Sequence, residues 1–209
     1  MILTLQFTGC FYLWGNVSVY FASYFYQYDP SITIESTYIM IPLEQLGHMS
    51  FNPLTAHLYH KIGPQLCIIM GSSIALTGLL ISSYMTNFTL FVLFYGGFFG
   101  VGIGLSYLAP LMCCWEHFPN RRGMVSGIII GGFGFATFIF DVISMLLVNP
   151  EDLKPSIQVK HGDNIELYFE ADIANRAPVM LRYLICIWLV MIVISLLLIK
   201  PPARDASDP

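Results

Sequence analysis

Four polar residues recur at helical spacing within one apolar stretch: Glu44, His48, Asn52 and Thr55. At about 100° per residue they fall inside an arc of about 80°, so one helix face would carry a carboxylate, an imidazole, an amide and a hydroxyl. A carboxylate deep in hydrocarbon costs roughly 2.5–3.5 kcal/mol on insertion scales and must therefore face protein or water. Asp141 and Arg182 are the other charges inside long apolar runs. Two chemistries fit these groups. Glu44 or Asp141 could pass protons, with His48 beside them as the side chain whose charge changes nearest neutral pH. Alternatively, Arg182 neutralises a carboxylate in an ion pair that only stabilises the helices.

A second polar face lies in the first apolar run, where Gly9, Tyr12, Asn16, Tyr20, Ser23 and Gln27 follow spacings of three and four. Such a face either lines a cavity or supplies interhelical hydrogen bonds and interfacial tyrosines. The five cysteines (Cys10, Cys67, Cys113, Cys114 and Cys186) all sit in apolar runs without the spacing of a metal site, and are expected to be packed thiols. No metal or other cofactor is expected. Nucleic acid is not an expected partner either, since the net charge is -4 and no cluster of Lys and Arg stands out. Nor does a nucleophile with a placed base appear, so an enzyme is not expected.

These residues must be positioned by elements that cross a lipid bilayer. Only 11% of the 209 residues are charged and 56% are hydrophobic, against about 25% charged in soluble domains. About 20 apolar residues cross a hydrocarbon core of about 30 Å. Runs of that kind fall at residues 1–26, 38–58, 65–86, 88–115, 124–148 and 179–199, and they are continuous rather than alternating, which predicts helices and not a membrane barrel. The expected architecture is an all-α, six-helix transmembrane bundle. Residues 149–178 form a long acidic loop and residues 200–209 a polar tail.

Met1 opens directly into an apolar run with no basic stretch before it, so a cleavable signal peptide is not expected, and further residues upstream are. Short-loop basic residues follow the second and fourth spans (Lys61; Arg121 and Arg122) and are missing after the first and third. Both termini are therefore expected in the cytoplasm and the acidic loop on the opposite side. Gly96, Gly100 and Gly104, with Gly127, Gly131 and Gly134, recur at intervals that lay small residues on one helix face. The fourth and fifth spans are thus expected to pack tightly, against each other or against neighbouring helices.

The stretch GVGIGLSYLAPLMCCWEHFPNRRGMVSGIIIGGFGF, Gly100 to Phe135, resembles the fourth-to-fifth-helix segment of the oxalate/formate antiporter and monocarboxylate branch of the major facilitators. Gly102, Gly104, Tyr107, Pro110, Phe118, Pro119, Arg121, Arg122, Gly123 and Gly127 fill that branch's glycine-rich helix, its Tyr and Pro, and its aromatic-Pro-x-basic-Arg-Gly turn. GCFYLWGN is similar to the branch's aromatic first helix. LYHKIGPQ is similar to its loop after the second helix, although only Lys61 and Gly63 keep the pattern and its acidic residue is missing.

The resemblance implies the amino-terminal half of a twelve-helix fold, and transport of a small anionic organic solute, a monocarboxylate or dicarboxylate-like one, by alternating access. Its partners would be the bilayer, the solute and a second six-helix bundle. Tyr12, Asn16, Tyr20 and Tyr107 would line the pathway, and Lys61, Gly63, Arg121, Arg122 and Gly123 would shape the cytoplasmic loops. Glu44, His48, Asp141 and Arg182 are the candidates for coupling or ion pairing. A half-transporter fold kept as a non-transporting subunit of a membrane complex is the alternative.

Overall fold

The computed structural model of the chain describes residues 13–161 and 164–199. Its elements, in order, are α1 (Trp14–Tyr26), a 3-10 turn (Glu35–Ile39), α2 (Met40–Ser82), α3 (Phe88–His117, with a π-helical stretch at Val92–Phe98) and α4 (Arg122–Val148). A β-hairpin follows (β1, Ile157–His161; β2, Asn164–Tyr168), then α5 (Ala171–Ala174) and α6 (Arg176–Leu198). Four helical runs among the described residues are long and apolar enough to cross a membrane, as expected of an integral, multi-pass membrane protein.

The loop expected between the second and third spans does not exist as a loop. Residues 38–58 and 65–86 belong to the single run α2, broken only at Gly63, whose φ of 82° lies in a region that a side chain would resist. Pro64 follows, where its missing N–H does no harm at the start of a helical leg. The chain reverses at this break. Before it, Leu43 meets Gly96, Gly47 meets Gly100, and Phe51 meets Gly104, so the first leg runs parallel to α3. After it, Gly71 meets Ser106 and Gly78 meets Phe98, so the second leg runs antiparallel. The remaining boundaries shift by a few residues: α2 ends at Ser82 rather than residue 86, while α4 starts at Arg122 and α6 at Arg176. Residues 1–12 of the first predicted span, and the tail 200–209, lie outside the described residues.

Helix α3 is packed almost backbone to backbone. A Cβ on Gly100 would lie 2.5 Å from the Glu44 carbonyl oxygen, and one on Gly102 would lie 2.5 Å from that of Gly71. Thr55 Oγ1 donates to the Gly104 carbonyl at 2.7 Å across the same interface. The expected tight glycine packing therefore holds for α3 but not for α4. Gly127, Gly131 and Gly134 have nothing within 4 Å of an added Cβ, because they lie on a side of α4 that no other described element covers.

Aromatic rings hold α1 to α3. Trp14 stacks on Phe21 at 5.5 Å and meets Tyr95 at 4.9 Å, while its indole N–H donates to the Thr37 carbonyl at 3.0 Å. The acidic loop is not structureless, and the chain is not wholly α-helical. Its hairpin pairs Ile157 with Tyr168 and Val159 with Glu166, leaving Tyr168 and Glu166 on one side of the ribbon.

Substituting Gly100→Val would force methyl groups into the α2 backbone and is expected to destabilise the protein by about 3 kcal/mol, near the top of the overpacking range. Gly127→Val enters open space and is expected to stay within about 0.5 kcal/mol. Thermal unfolding in detergent micelles checks both, and equal losses would contradict the packing described.

Candidate functional site

Polar groups from four helical runs form two clusters against α4. From α1, the Asn16 side chain hydrogen-bonds the Asp141 carboxylate of α4. The other carboxylate oxygen of Asp141, Oδ1, is buried with no partner. From the first leg of α2, the His48 ring meets Tyr107 of α3 edge-on at 5.1 Å, and Tyr107 in turn meets Phe133 of α4 at 6.0 Å. Phe133, Thr137 and Asp141 follow one another at intervals of four and so share an α4 face within about 80°. That face joins the two clusters, with about 12 Å of helix rise between Phe133 and Asp141.

Glu44 sits one turn from His48 and is fully buried, with no hydrogen-bond partner for either carboxylate oxygen. Its own backbone lies against Gly100. Further along the leg, Asn52 Oδ1 is also buried without a partner, whereas Thr55 is spent on the Gly104 carbonyl. The polar stripe on α2 thus divides. Thr55 and the backbone of Glu44 hold α3, and His48 reaches Tyr107.

The ion pair expected of Arg182 with Glu44 or Asp141 is not formed. The guanidinium donates to Ser83 Oγ at 3.3 Å and to the Ser83 carbonyl at 2.9 Å, and it stands 3.9 Å over the Tyr84 ring. Arg182 is thereby committed to the α2–α3 connection, where carbonyl and ring satisfy it without a carboxylate.

Tyr20 does not face open space either. Its ring is buried and stacks on Phe169 at 4.6 Å, at the base of the hairpin. Asn16, one turn along the same face, is exposed. Tyr12 lies outside the described residues.

The loop residues Lys61, Arg121, Arg122 and Gly123 are exposed and share one end of the bundle with the Gly63 break. At that end Tyr59 donates to Glu116 Oε2 at 2.6 Å and Gln65 donates to the Ile199 carbonyl at 2.9 Å, tying α2 to α3 and to the end of α6. The acid that the resemblance finds missing from this loop is absent, and a buried tyrosine paired with Glu116 makes the connection there.

Phe133 and Thr137 were not singled out from the sequence. Counting outward from the turn near Asn120 could have found Phe133, since it and Tyr107 are equally far from that turn and face each other in the resulting antiparallel pair.

No family model matches the chain. It is 29% identical over 188 residues to apicoplast pyruvate carrier 1 of Toxoplasma gondii, covering 84% of this chain and 34% of that protein. It is 30% identical over 111 residues to monocarboxylate transporter 13 of Rattus norvegicus, covering 53% of this chain and 25% of that one. Against monocarboxylate transporter 12 of Homo sapiens it is 28% identical over 110 residues, covering 53% and 21%. The chain therefore spans about a third of the first relative's length and about a quarter or less of the other two. The likeness is distant and partial, and it is to carriers and transporters rather than to enzymes.

The geometry predicts which residues are coupled. In double-mutant cycles on unfolding, Asn16→Ala and Asp141→Asn are expected to interact by at least about 0.5 kcal/mol, whereas Glu44→Gln and Arg182→Met should be additive within about 0.5 kcal/mol. An interaction above about 1 kcal/mol between Glu44 and Arg182 would reinstate the ion pair.

Proposed function

We propose that this chain forms one wall of a transporter that moves a small organic anion, a monocarboxylate, by alternating access against a second six-helix bundle. The observation that carries this proposal is that two polar pairs, Asn16 with Asp141 and His48 with Tyr107, are drawn from four helical runs and strung along one face of α4. Polar side chains at membrane depth are expensive unless they meet protein or water, so a face of this kind belongs to a cavity or an interface. The names of the relatives, a pyruvate carrier and monocarboxylate transporters, supply the solute class.

Six crossings follow if α2 is taken as two. Its legs on either side of Gly63 hold 23 and 19 residues, or about 35 and 29 Å of helix rise, each enough for a hydrocarbon core of about 30 Å. With the exposed basic residues Lys61, Arg121 and Arg122 at one end, that end is cytoplasmic and the hairpin lies on the other side. Both termini are then cytoplasmic.

In this proposal Asn16, His48 and Tyr107 contact the solute or its water, with Tyr12 beyond them on α1. Glu44 and Asp141 carry the coupling proton, being carboxylates inside apolar runs that leave oxygens without a hydrogen-bond partner: both of Glu44 and Oδ1 of Asp141. Lys61, Gly63, Arg121, Arg122 and Gly123 shape the cytoplasmic turns against which the bundle rocks. The second bundle supplies the opposite wall and the cation that a carboxylate needs, since Arg182 is committed elsewhere.

Uptake of labelled pyruvate into vesicles tests this directly. With a second bundle present, uptake should saturate, Tyr107→Ala should lower kcat/KM by about tenfold, or ~1.4 kcal/mol of transition-state binding, and Glu44→Gln or Asp141→Asn should flatten its pH dependence. The chain alone should give no saturable flux. A monomer that transports would refute the half-site, and no uptake in either form would leave a non-transporting subunit as the better account.

A further inference from the structure

We propose that residues 166–169, at the end of β2 towards the base of the hairpin, form a gate over the hairpin-side end of the polar face, closed in this structure and released before solute can enter from that side. This rests on the transport function proposed above, and it assigns that site a control element.

The covered face is specific. Asn16, Tyr20 and Ser23 lie within an arc of about 60° on α1. Two of the three are occupied by Phe169: its ring stacks on Tyr20 at 4.6 Å and its backbone N–H donates to Ser23 Oγ at 3.0 Å in a buried bond. Asn16 sits one turn, about 6 Å, further in and remains exposed, joined to Asp141. Phe169 therefore covers the two residues of this face that lie between Asn16 and the hairpin.

The cover is latched by contacts to α1 and to the chain that follows it. Tyr168 is buried and stacks on Tyr26 at 4.6 Å. Glu166 Oε2 accepts the Ile34 N–H at 3.1 Å and the Tyr168 hydroxyl, which also lies 3.2 Å from the Ile32 carbonyl. Burial, with the Glu166 carboxylate next in importance, pushes the Tyr168 phenol above its ordinary range, so this donor stays protonated across physiological pH. Phe169 joins the main apolar core beside Tyr20, whereas the latch itself is made to Tyr26, Ile32 and Ile34 and uses none of the glycine contacts between α2 and α3. Release of the cover therefore breaks side-chain contacts and leaves that backbone packing in place, as in loops that gate other proteins.

The test uses a single reporter, Asn16→Cys, in chain with Cys10→Ser and Cys186→Ser, in native membranes with a membrane-impermeant thiol reagent on the hairpin side. Labelling should be slow with the gate intact and at least tenfold faster with Phe169→Ala. Oxidising an added Ile34→Cys and Glu166→Cys pair should slow it further, and reduction should reverse this. Phe169→Leu, which keeps an apolar cover, should stay within threefold of the parent and controls for misfolding. Equal labelling in all four would overturn the gate. Because labelling needs no flux, pyruvate uptake is scored separately. Gated labelling with no uptake in any form would refute the transport function and leave the cover standing, whereas uptake unchanged by the oxidised pair would refute the gate and leave transport standing.

Discussion

The contact of bare backbone with bare backbone between α2 and α3 is the constraint on which the rest of the structure depends. Glycines at 100, 102 and 104 let α3 lie between the two legs of α2 with no side chain interposed. Helices in lipid gain little from burying apolar surface against one another, so close approach and interhelical hydrogen bonds, such as Thr55 to the Gly104 carbonyl, carry the association. The chemistry of the polar face follows from it. His48 reaches Tyr107 because its backbone lies against Gly104, and the backbone of the buried Glu44 lies against Gly100.

The second consequence concerns charge. Across the polar face the groups are an amide, a phenol, an imidazole and carboxylates, and Arg182, in the body of α6, is bound by Ser83 and Tyr84. The face can donate and accept hydrogen bonds and hold protons, but it offers an anion no fixed positive charge. In the proposed transporter a monocarboxylate site built on it would take its cation from the opposite wall. Glu44 and Asp141 each keep a buried carboxylate oxygen without a hydrogen-bond partner, which is why the proposal gives them the proton.

The membrane character of the chain, the long apolar helices and the glycine contacts of α3 were legible in the sequence because each rests on composition or on a short-range period. The stripe of Glu44, His48, Asn52 and Thr55 was legible as a face, but its division of labour was not, since periodicity cannot say which neighbour each residue meets. The break at Gly63 was legible as an interruption between residues 58 and 65, but its shortness was not, because the sequence on both sides is helix-compatible and the turn takes a single residue rather than a loop. Arg182 misled because charge complementarity suggests carboxylates, while a carbonyl and an aromatic ring serve a guanidinium as well. The hairpin and its grip on Tyr20 depend on pairing between distant segments, Glu166 with Ile34 and Phe169 with Ser23, and no local pattern encodes it. Gly127, Gly131 and Gly134 show the reverse: the spacing is right, but no helix among the described residues meets them.

Substrate protection at two neighbouring positions of α4 tests the central claim most directly. Thr137 lies on the face shared by Phe133 and Asp141, whereas Phe138 points outward and is 64% exposed. Cysteines placed at each, in chain assembled with its second bundle, can be labelled with a small thiol reagent in the presence and absence of pyruvate. The account predicts that pyruvate slows labelling at residue 137 severalfold and leaves residue 138 unchanged. Equal protection at both positions, or none at residue 137 at saturating pyruvate, would contradict it.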